Sequence, residues 1–545
     1  MEIAGKTYLE IIKENKKLGS QMEGEKLDIT FLSNLTFNKI KDVLEYPLRK
    51  NCINASVKFG NYDNIIQDSL NQENTDIVII HQDLLNFSNQ FNGHQIFGDK
   101  TIIDNLKKEI CNQIDIVLSN LKDTKLVIFN SYTNLCSSSN FIKNNHIDDL
   151  SYELNKYLIE KSKSILNLRI CNIEKIISYL GVNNSIDLKT FYAFKDLYKT
   201  SWLIEYAQRV QHLIYPTLGK LKKAIIMDCD NTLWKGILGE DGFDYIEMSS
   251  ETKSGEIFKN VQKSLIQLSK MGVLVCLCSK NNLDDVKEVF ERHPDITLQH
   301  EHITLMKVNW QDKASNIQEI ANELNIGVDS FIFVDDSDFE VNLVKERHPI
   351  VDVFQVPKNL SEYPLLMNKI SNYFYRDNIT ESDLKKSQEY KKQAVRAEHK
   401  AMYSNIDDFI SSLEIEVKIN KNDIKQLARM EQMAQKTNQF NFTTIRHSAN
   451  EIKSFIESKD NDVYCINVKD KFGDSGLTGM IITSEAEDKT LEILTFLMSC
   501  RVIGRNIEHA FLHDIIDEHR KLGFKKVIST YNPSRKNQQI ENFFE

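Results

Sequence analysis

AIIMDCDNTLWKG, Ala224 to Gly236, runs an apolar stretch straight into two aspartates one residue apart, Asp228 and Asp230. Carboxylates at the end of a buried strand are costly unless something binds them. Working outward, hydrophobic runs predict strands at Lys223–Met227, Val273–Cys278, Ser330–Val334 and Ile350–Phe354. Helical periodicity predicts helices at Gly255–Lys270, Leu283–Arg292 and Lys313–Leu324. This alternation reads as a doubly wound parallel α/β sheet.

Open parallel sheets bind ligands beyond the carboxyl ends of their strands. The first strand delivers Asp228 and Asp230 there, the second Ser279, and Ser330–Val334 delivers Asp335 and Asp336, while Lys313 starts a helix. Carboxylates from two strands suit a hard cation such as Mg²⁺. One aspartate can attack phosphorus, and its neighbour two residues on can give and take a proton. Ser279 and Lys313 can orient and neutralise phosphoryl oxygens. Any one of these acids taken alone has a helix N-cap or a surface charge as its lesser alternative; the ordered set is what favours phosphoryl chemistry.

The bulk numbers frame that reading. At 545 residues, the chain is too long for one core. Hydrophobic content of 41% and charged content of 27% mark a globular protein. A net charge of −10, with no extended basic stripe, argues against nucleic acid. No apolar run approaches the roughly 20 residues that span a bilayer, so no membrane partner is expected. Nine cysteines without a CxxC pair suggest reduced thiols in a cytoplasm.

Before the Asp228 stretch, KLDITFLSNL, TDIVIIHQ and TKLVIFNSY read as buried strands separated by helices. After it, LEIEVKI, DVYCINVKD, GLTGMIIT and LEILTFLMS alternate in the manner of an α+β sheet. The expected domains are 1–217, 218–378, a helical linker at 379–405, and 406–545. KTNQFNFTT (Lys436 to Thr444) is amide-rich and reads as either a ligand contact or a capped turn.

DCDNT, the Ser after a strand, the Lys and the terminal DD resemble, in order, the four motifs of haloacid dehalogenase (HAD) phosphohydrolases. The resemblance implies Asp228 as nucleophile and Asp230 as acid/base. It implies Mg²⁺ held by Asp228, the Asp230 backbone carbonyl, Asp335 and Asp336, and phosphate held by Ser279 and Lys313. Asn231, Thr232, Trp234, Lys280, Asn281 and Asn309 flank these motifs as expected substrate contacts. DCDNTLWKGILGEDG, LCSKNN, VNWQDKASNIQEIANELNIGVDSFIFVDD, KTNQFNFTT, FGDSGLTG and FLMSCRVIGR together resemble the FkbH-like glyceryl transferase/phosphatases over nearly the whole chain. Two departures, Cys229 and Ser337–Asp338, remove no catalytic group.

That family implies a small three-carbon acyl phosphate, 1,3-bisphosphoglycerate, as substrate. Its partner is an acyl carrier protein with a phosphopantetheine arm, loaded in polyketide-type pathways. The C-terminal region resembles the GNAT acyltransferase fold, which implies ligand contacts at Arg501, Gly504 and Arg505, with Asn506 tolerating a left-handed backbone. Cys500, beside Arg501, is either an acyl-carrying thiolate or a buried packing residue. The N-terminal region is SGNH-hydrolase-like in strand order. Ser33 lacks a Gly-Asp frame and no DxxH pair follows, so no hydrolase activity is expected from it. The rival readings are a stand-alone HAD phosphatase on a small ester, a carrier-binding module with a vestigial site, and a GNAT-type N-acyltransferase with an accessory HAD domain. The chain stops at IENFFE, short of where a GNAT fold usually continues, so an incomplete C-terminus is expected.

Overall fold

A computed structural model describes residues 6–72, 74–87, 100–134, 146–377, 389–392, 396, 399, 403, 405–437, 439–499, 501–534 and 537–544. The chain forms two compact units, 2–217 and 218–545. The architecture is the multi-domain α/β type read from the sequence.

The first unit carries a parallel sheet of β1 (Leu27–Ser33), β2 (Ala55–Phe59), β3 (Ile77–His81), β4 (Leu126–Asn130) and β5 (Leu168–Cys171), in the order β2-β1-β3-β4-β5. At its carboxyl edge Ser33 lies in register with His81, and Asp83 follows two residues later. Serine, histidine and aspartate are therefore neighbours, an HxD arrangement that a search for DxxH passes over. The pair is spent on other work. Ser33 Oγ accepts the Leu35 N–H at 2.9 Å. The Asn130 amide lies 3.0 Å from His81 Nδ1, while its Oδ1 accepts the Tyr206 hydroxyl at 3.0 Å. The Asn130 amide thus occupies His81 Nδ1. Phe37 and Tyr198 also meet the imidazole edge-on. The expected result is that the protein releases no 4-nitrophenol from 4-nitrophenyl acetate above a Ser33→Ala control.

In the second unit β6 (Ala224–Met227), β7 (Leu274–Ser279), β8 (Ile303–Val308), β9 (Phe331–Asp335) and β10 (Asp352–Gln355) form a parallel sheet in the order β10-β9-β6-β7-β8. β6 is central and buried on both faces, which explains its uninterrupted apolar sequence. Ile225, Met227, Val275, Leu277 and Val334 pack to one side, and Ala224, Ile226, Cys276, Cys278 and Phe333 to the other. After β8 the chain returns across β6 to β9, so strand order reverses beside β6. That switch point is where an open sheet offers its crevice.

The C-terminal sheet is mostly antiparallel. β11 (Glu416–Lys421), β13 (Asn461–Asp470), β14 (Gly473–Ala486), β15 (Thr490–Met498) and β12 (Phe440–Asn441) lie side by side in that order, and β16 (Lys526–Ser529) pairs with β15 in parallel. Phe496 and Met498 pack with the helix Ile507–Lys521, while Leu497 packs with Met430, Met433 and Ile452 on the opposite face. Within KTNQFNFTT, Phe440 and Asn441 form the short strand β12. Phe442 donates its N–H to Phe496 O at 3.1 Å and accepts from Asn532 N at 2.8 Å. Thr444, at φ 58°, returns its N–H to Asn441 Oδ1. The linker expected at 379–405 falls largely outside the described residues; of those described, Tyr390 packs into the core of the β6–β10 sheet.

His447 sits in this domain with Nε2 2.7 Å from Thr495 Oγ, and burial lowers its pKa. The unfolded chain binds that proton more readily than the fold. Stability attributable to His447 is therefore present above the ordinary histidine range and declines as pH falls below about 6.5, by up to about 1.4 kcal/mol per pH unit. Thermal melts from pH 7.5 to 5 should show this slope, and His447→Gln should flatten it.

Candidate active site

The site forms where β6 and β9 end together. Asp228, only 4% exposed, donates its backbone N–H to Val334 O at 3.0 Å, which ties the two strand ends. Lys313 is the first residue of the helix Lys313–Leu324, which begins sharply because Asp312 caps it by accepting from Ser315 N. Its buried ammonium lies 2.8 Å from Asp228 Oδ1 and 2.6 Å from Asp335 Oδ2. Asp335 Oδ1 accepts the Ser337 N–H at 2.9 Å.

One carboxylate oxygen from each of Asp228, Asp335 and Asp336 lies within 4.8 Å of the others. Two of these acids, Asp228 and Asp335, share the Lys313 ammonium. Burial, then the charge of Asp228, pushes Asp335 up to about 7 despite Lys313. The same two causes raise Asp336. Burial opposes the Lys313 charge, but Asp228 and Asp335 outweigh it and hold the ammonium well above its ordinary range. All-oxygen donors with an excess of negative charge fit a hard divalent cation. Asp228, Asp335 and Asp336 would hold it.

Asp230 is engaged differently. Its Oδ1 accepts from Trp234 Nε1 at 3.0 Å and Leu238 N at 3.1 Å, and its Oδ2 from Asn281 Nδ2 at 2.8 Å. Burial raises its pKa. Ser279 ends β7, is 1% exposed, and its carbonyl accepts from Asn309 N at 3.1 Å. The structure therefore brings Asp228, Asp230, Ser279, Lys313, Asp335 and Asp336 to one edge.

The flanking residues have partners within the chain. Asn231, left-handed at φ 51°, accepts from Gly236 N at 3.1 Å. Lys280 lies 2.7 Å from Glu340 Oε1. Asn309 exchanges amide hydrogen bonds with Asn316 at 3.1 and 2.9 Å. Thr232 is fully buried and its carbonyl accepts the Tyr363 hydroxyl at 3.0 Å. Sequence reading passed over Tyr363, which lies 131 residues downstream and carries no motif of its own. Tyr363→Phe should strand that buried carbonyl and cost about 1–3 kcal/mol, read by urea denaturation.

The C-terminal expectations land on a buried ion cluster. Asp470 takes both Arg396 Nε and Nη2 at 2.8 Å and Arg505 Nη1 at 2.9 Å. Burial, with Arg396 and Arg501 adding, pushes Arg505 down to about 10. Arg501, 6% exposed, donates to Ser499 Oγ at 3.2 Å. Gly504, at φ 78°, donates its N–H to Glu508 Oε1 at 3.1 Å. Asn506 takes the left-handed backbone at φ 60° and the helix starts after it. Cys500 lies outside the described residues.

No protein-family model and no curated protein matches the chain. Among solved structures, the N-terminal part of a Bacteroides fragilis protein aligns with 25% identity and a TM-score of 0.61, over 68% of this chain and 100% of that one. It contains a phosphatase domain and was crystallised in complex with Mg. The chain is similar to a magnesium-complexed protein that contains a phosphatase domain. Two acetyltransferases overlap far less. A ribosomal-protein-alanine N-acetyltransferase from Brucella melitensis gives 8% identity and a TM-score of 0.18, over 22% of this chain and 83% of that one. The PaiA N-acetyltransferase from Thermoplasma acidophilum, with coenzyme A, gives 16% and 0.20, over 24% and 86%. Scores that low carry no argument. Among the described residues, no helix is long and apolar enough to cross a membrane.

Proposed function

We propose that the β6–β10 domain is a Mg²⁺-dependent phosphohydrolase centre of HAD type. The observation that carries this is the Asp228–Lys313–Asp335 bridge at the switch point, with Asp336 beside it. An Asp228 oxygen attacks phosphorus and the bond to the leaving oxygen breaks, with Asp230 giving that oxygen a proton. Asp230 then takes a proton from water, whose oxygen displaces Asp228 and frees phosphate. Lys313 and Ser279 neutralise and orient phosphoryl oxygens. A bound Mg²⁺ would supply charge stabilisation as the transferring group develops negative charge.

The finer reading is transfer of a glyceryl unit from 1,3-bisphosphoglycerate to the phosphopantetheine thiol of an acyl carrier protein. The motif resemblance over nearly the whole chain supports it. The thiol attacks the acyl phosphate carbon, phosphate leaves with the thiol proton, and a thioester remains. An acyl phosphate is already activated, which agrees with a sequence that has no GxxxxGK[ST] loop. The β6–β10 domain also exposes Trp310 at 75% and Phe339 at 68% on the connections that leave β8 and β9 at this edge. A carrier protein approaching this edge would meet these two rings.

The test is intact mass of phosphopantetheinylated carrier protein after incubation with the enzyme, Mg²⁺ and enzymatically generated 1,3-bisphosphoglycerate. A glyceryl adduct with the native enzyme, and a phosphoglyceryl adduct with Asp228→Asn, is the expected pair. No adduct on any carrier, with rapid phosphate release from small esters, would leave the stand-alone phosphatase.

A further inference from the structure

Trp234 and Asn281 were expected to touch substrate, yet both side chains are turned onto Asp230. The Trp234 ring is fully buried in the sheet core. It reaches back four residues because left-handed Asn231 accepts the Gly236 N–H and folds 231–236 against the end of β6. An indole has one N–H, and here it is spent on Asp230 Oδ1. Asn281, 4% exposed, arrives from the far side, two residues beyond the end of β7.

We propose that Trp234 and Asn281 are positioning residues that leave Asp230 one site for its proton. A carboxylate has about four lone-pair sites, two on each oxygen. The Trp234 indole and the Leu238 backbone N–H occupy both on Oδ1, and the Asn281 amide occupies one on Oδ2. The remaining lone pair of Oδ2 is where the proton delivered to the leaving oxygen must sit. The three donors come from two connections of the sheet, so the carboxyl can neither rotate nor present Oδ1 instead. This inference rests on the phosphohydrolase reading, in which Asp230 is the acid.

The test compares 4-nitrophenyl phosphate, whose leaving group departs without help, with phenyl phosphate, whose leaving group needs a proton. The full-length enzyme is used with Mg²⁺, and Asp230→Asn sets the reference. General-acid help is typically worth about 10²- to 10⁴-fold. Asn281→Ala and Trp234→Phe should each lower kcat on phenyl phosphate by about 10-fold or more, against about 2- to 3-fold on 4-nitrophenyl phosphate, with KM little changed. Trp234→Phe keeps the ring in the core, and Asn281→Ala gives an independent variant should that core not accept phenylalanine. Equal losses on both esters, or a rise in KM with kcat intact, would overturn the positioning role. Should Asp230→Asn itself fail to discriminate between the esters, the acid role of Asp230 falls, and this inference with it. A discriminating Asp230→Asn beside non-discriminating Asn281→Ala and Trp234→Phe would sink the inference alone.

Discussion

Asp228→Asn should abolish Mg²⁺-dependent phosphate release, with a loss of about 10⁴-fold or more, the scale seen when a covalent nucleophile is removed. The fold should survive. Lys313 keeps its 2.6 Å partner in Asp335, and the backbone link from residue 228 to Val334 does not depend on the side chain. Removing one of three crowded acids also relieves repulsion, so the metal-free variant should melt no lower than the native protein. Phosphate release and a thermal melt on the same preparation check both halves. Retained turnover would return Asp228 to a purely electrostatic role.

Lys313→Met should be the most damaging single change to stability in this domain. Lys313 is 4% exposed, and its ammonium is shared by Asp228 and Asp335. Without it two buried carboxylates face each other unpaired, a cost of about 3–5 kcal/mol. The defect should depend on pH in a fixed direction. Burial and the charge of Asp228 already push Asp335 up to about 7, above the ordinary carboxylate near 3.8. Between those values the folded state holds a proton that the unfolded chain has released, so stability falls as pH rises through the window. Loss of Lys313 removes the charge that holds Asp335 down, so that fall extends to higher pH. Melts at pH 5 and pH 8 should therefore diverge more for Lys313→Met than for the native chain. Millimolar Mg²⁺ should close much of the gap at pH 8, since a cation bound only by the fold stabilises it.

How much of this was legible in the sequence depended on burial. β6, β7 and β9 are covered on both faces and read as unbroken apolar runs ending in Asp228, Ser279 and Asp335. The edge strands β2 and β8 are not: ASVKF mixes exposed with buried positions and ITLMKV half-buried with buried ones, so neither announces itself. The acids and the lysine were legible because a charge at the end of such a run is too costly to keep unless it binds something. The direction of a side chain was not. Nothing in DCDNTLWKG says that the indole turns back onto Asp230, because that depends on the left-handed backbone at Asn231. Arg505 looked like a ligand contact until its partner Asp470, 35 positions upstream, came into view.

That partnership binds three distant positions into one unit of inheritance. Arg396 and Arg505 draw on the same carboxylate, and all three side chains are buried. A lineage that exchanged Asp470 for a neutral residue would take the shared carboxylate from two buried guanidinium charges at once, while one that lost a single arginine would still keep the acid paired. Drift should therefore enter through the arginines and never begin at the acid. Among descendants of this chain, any sequence lacking the aspartate should already have parted with both of its cations.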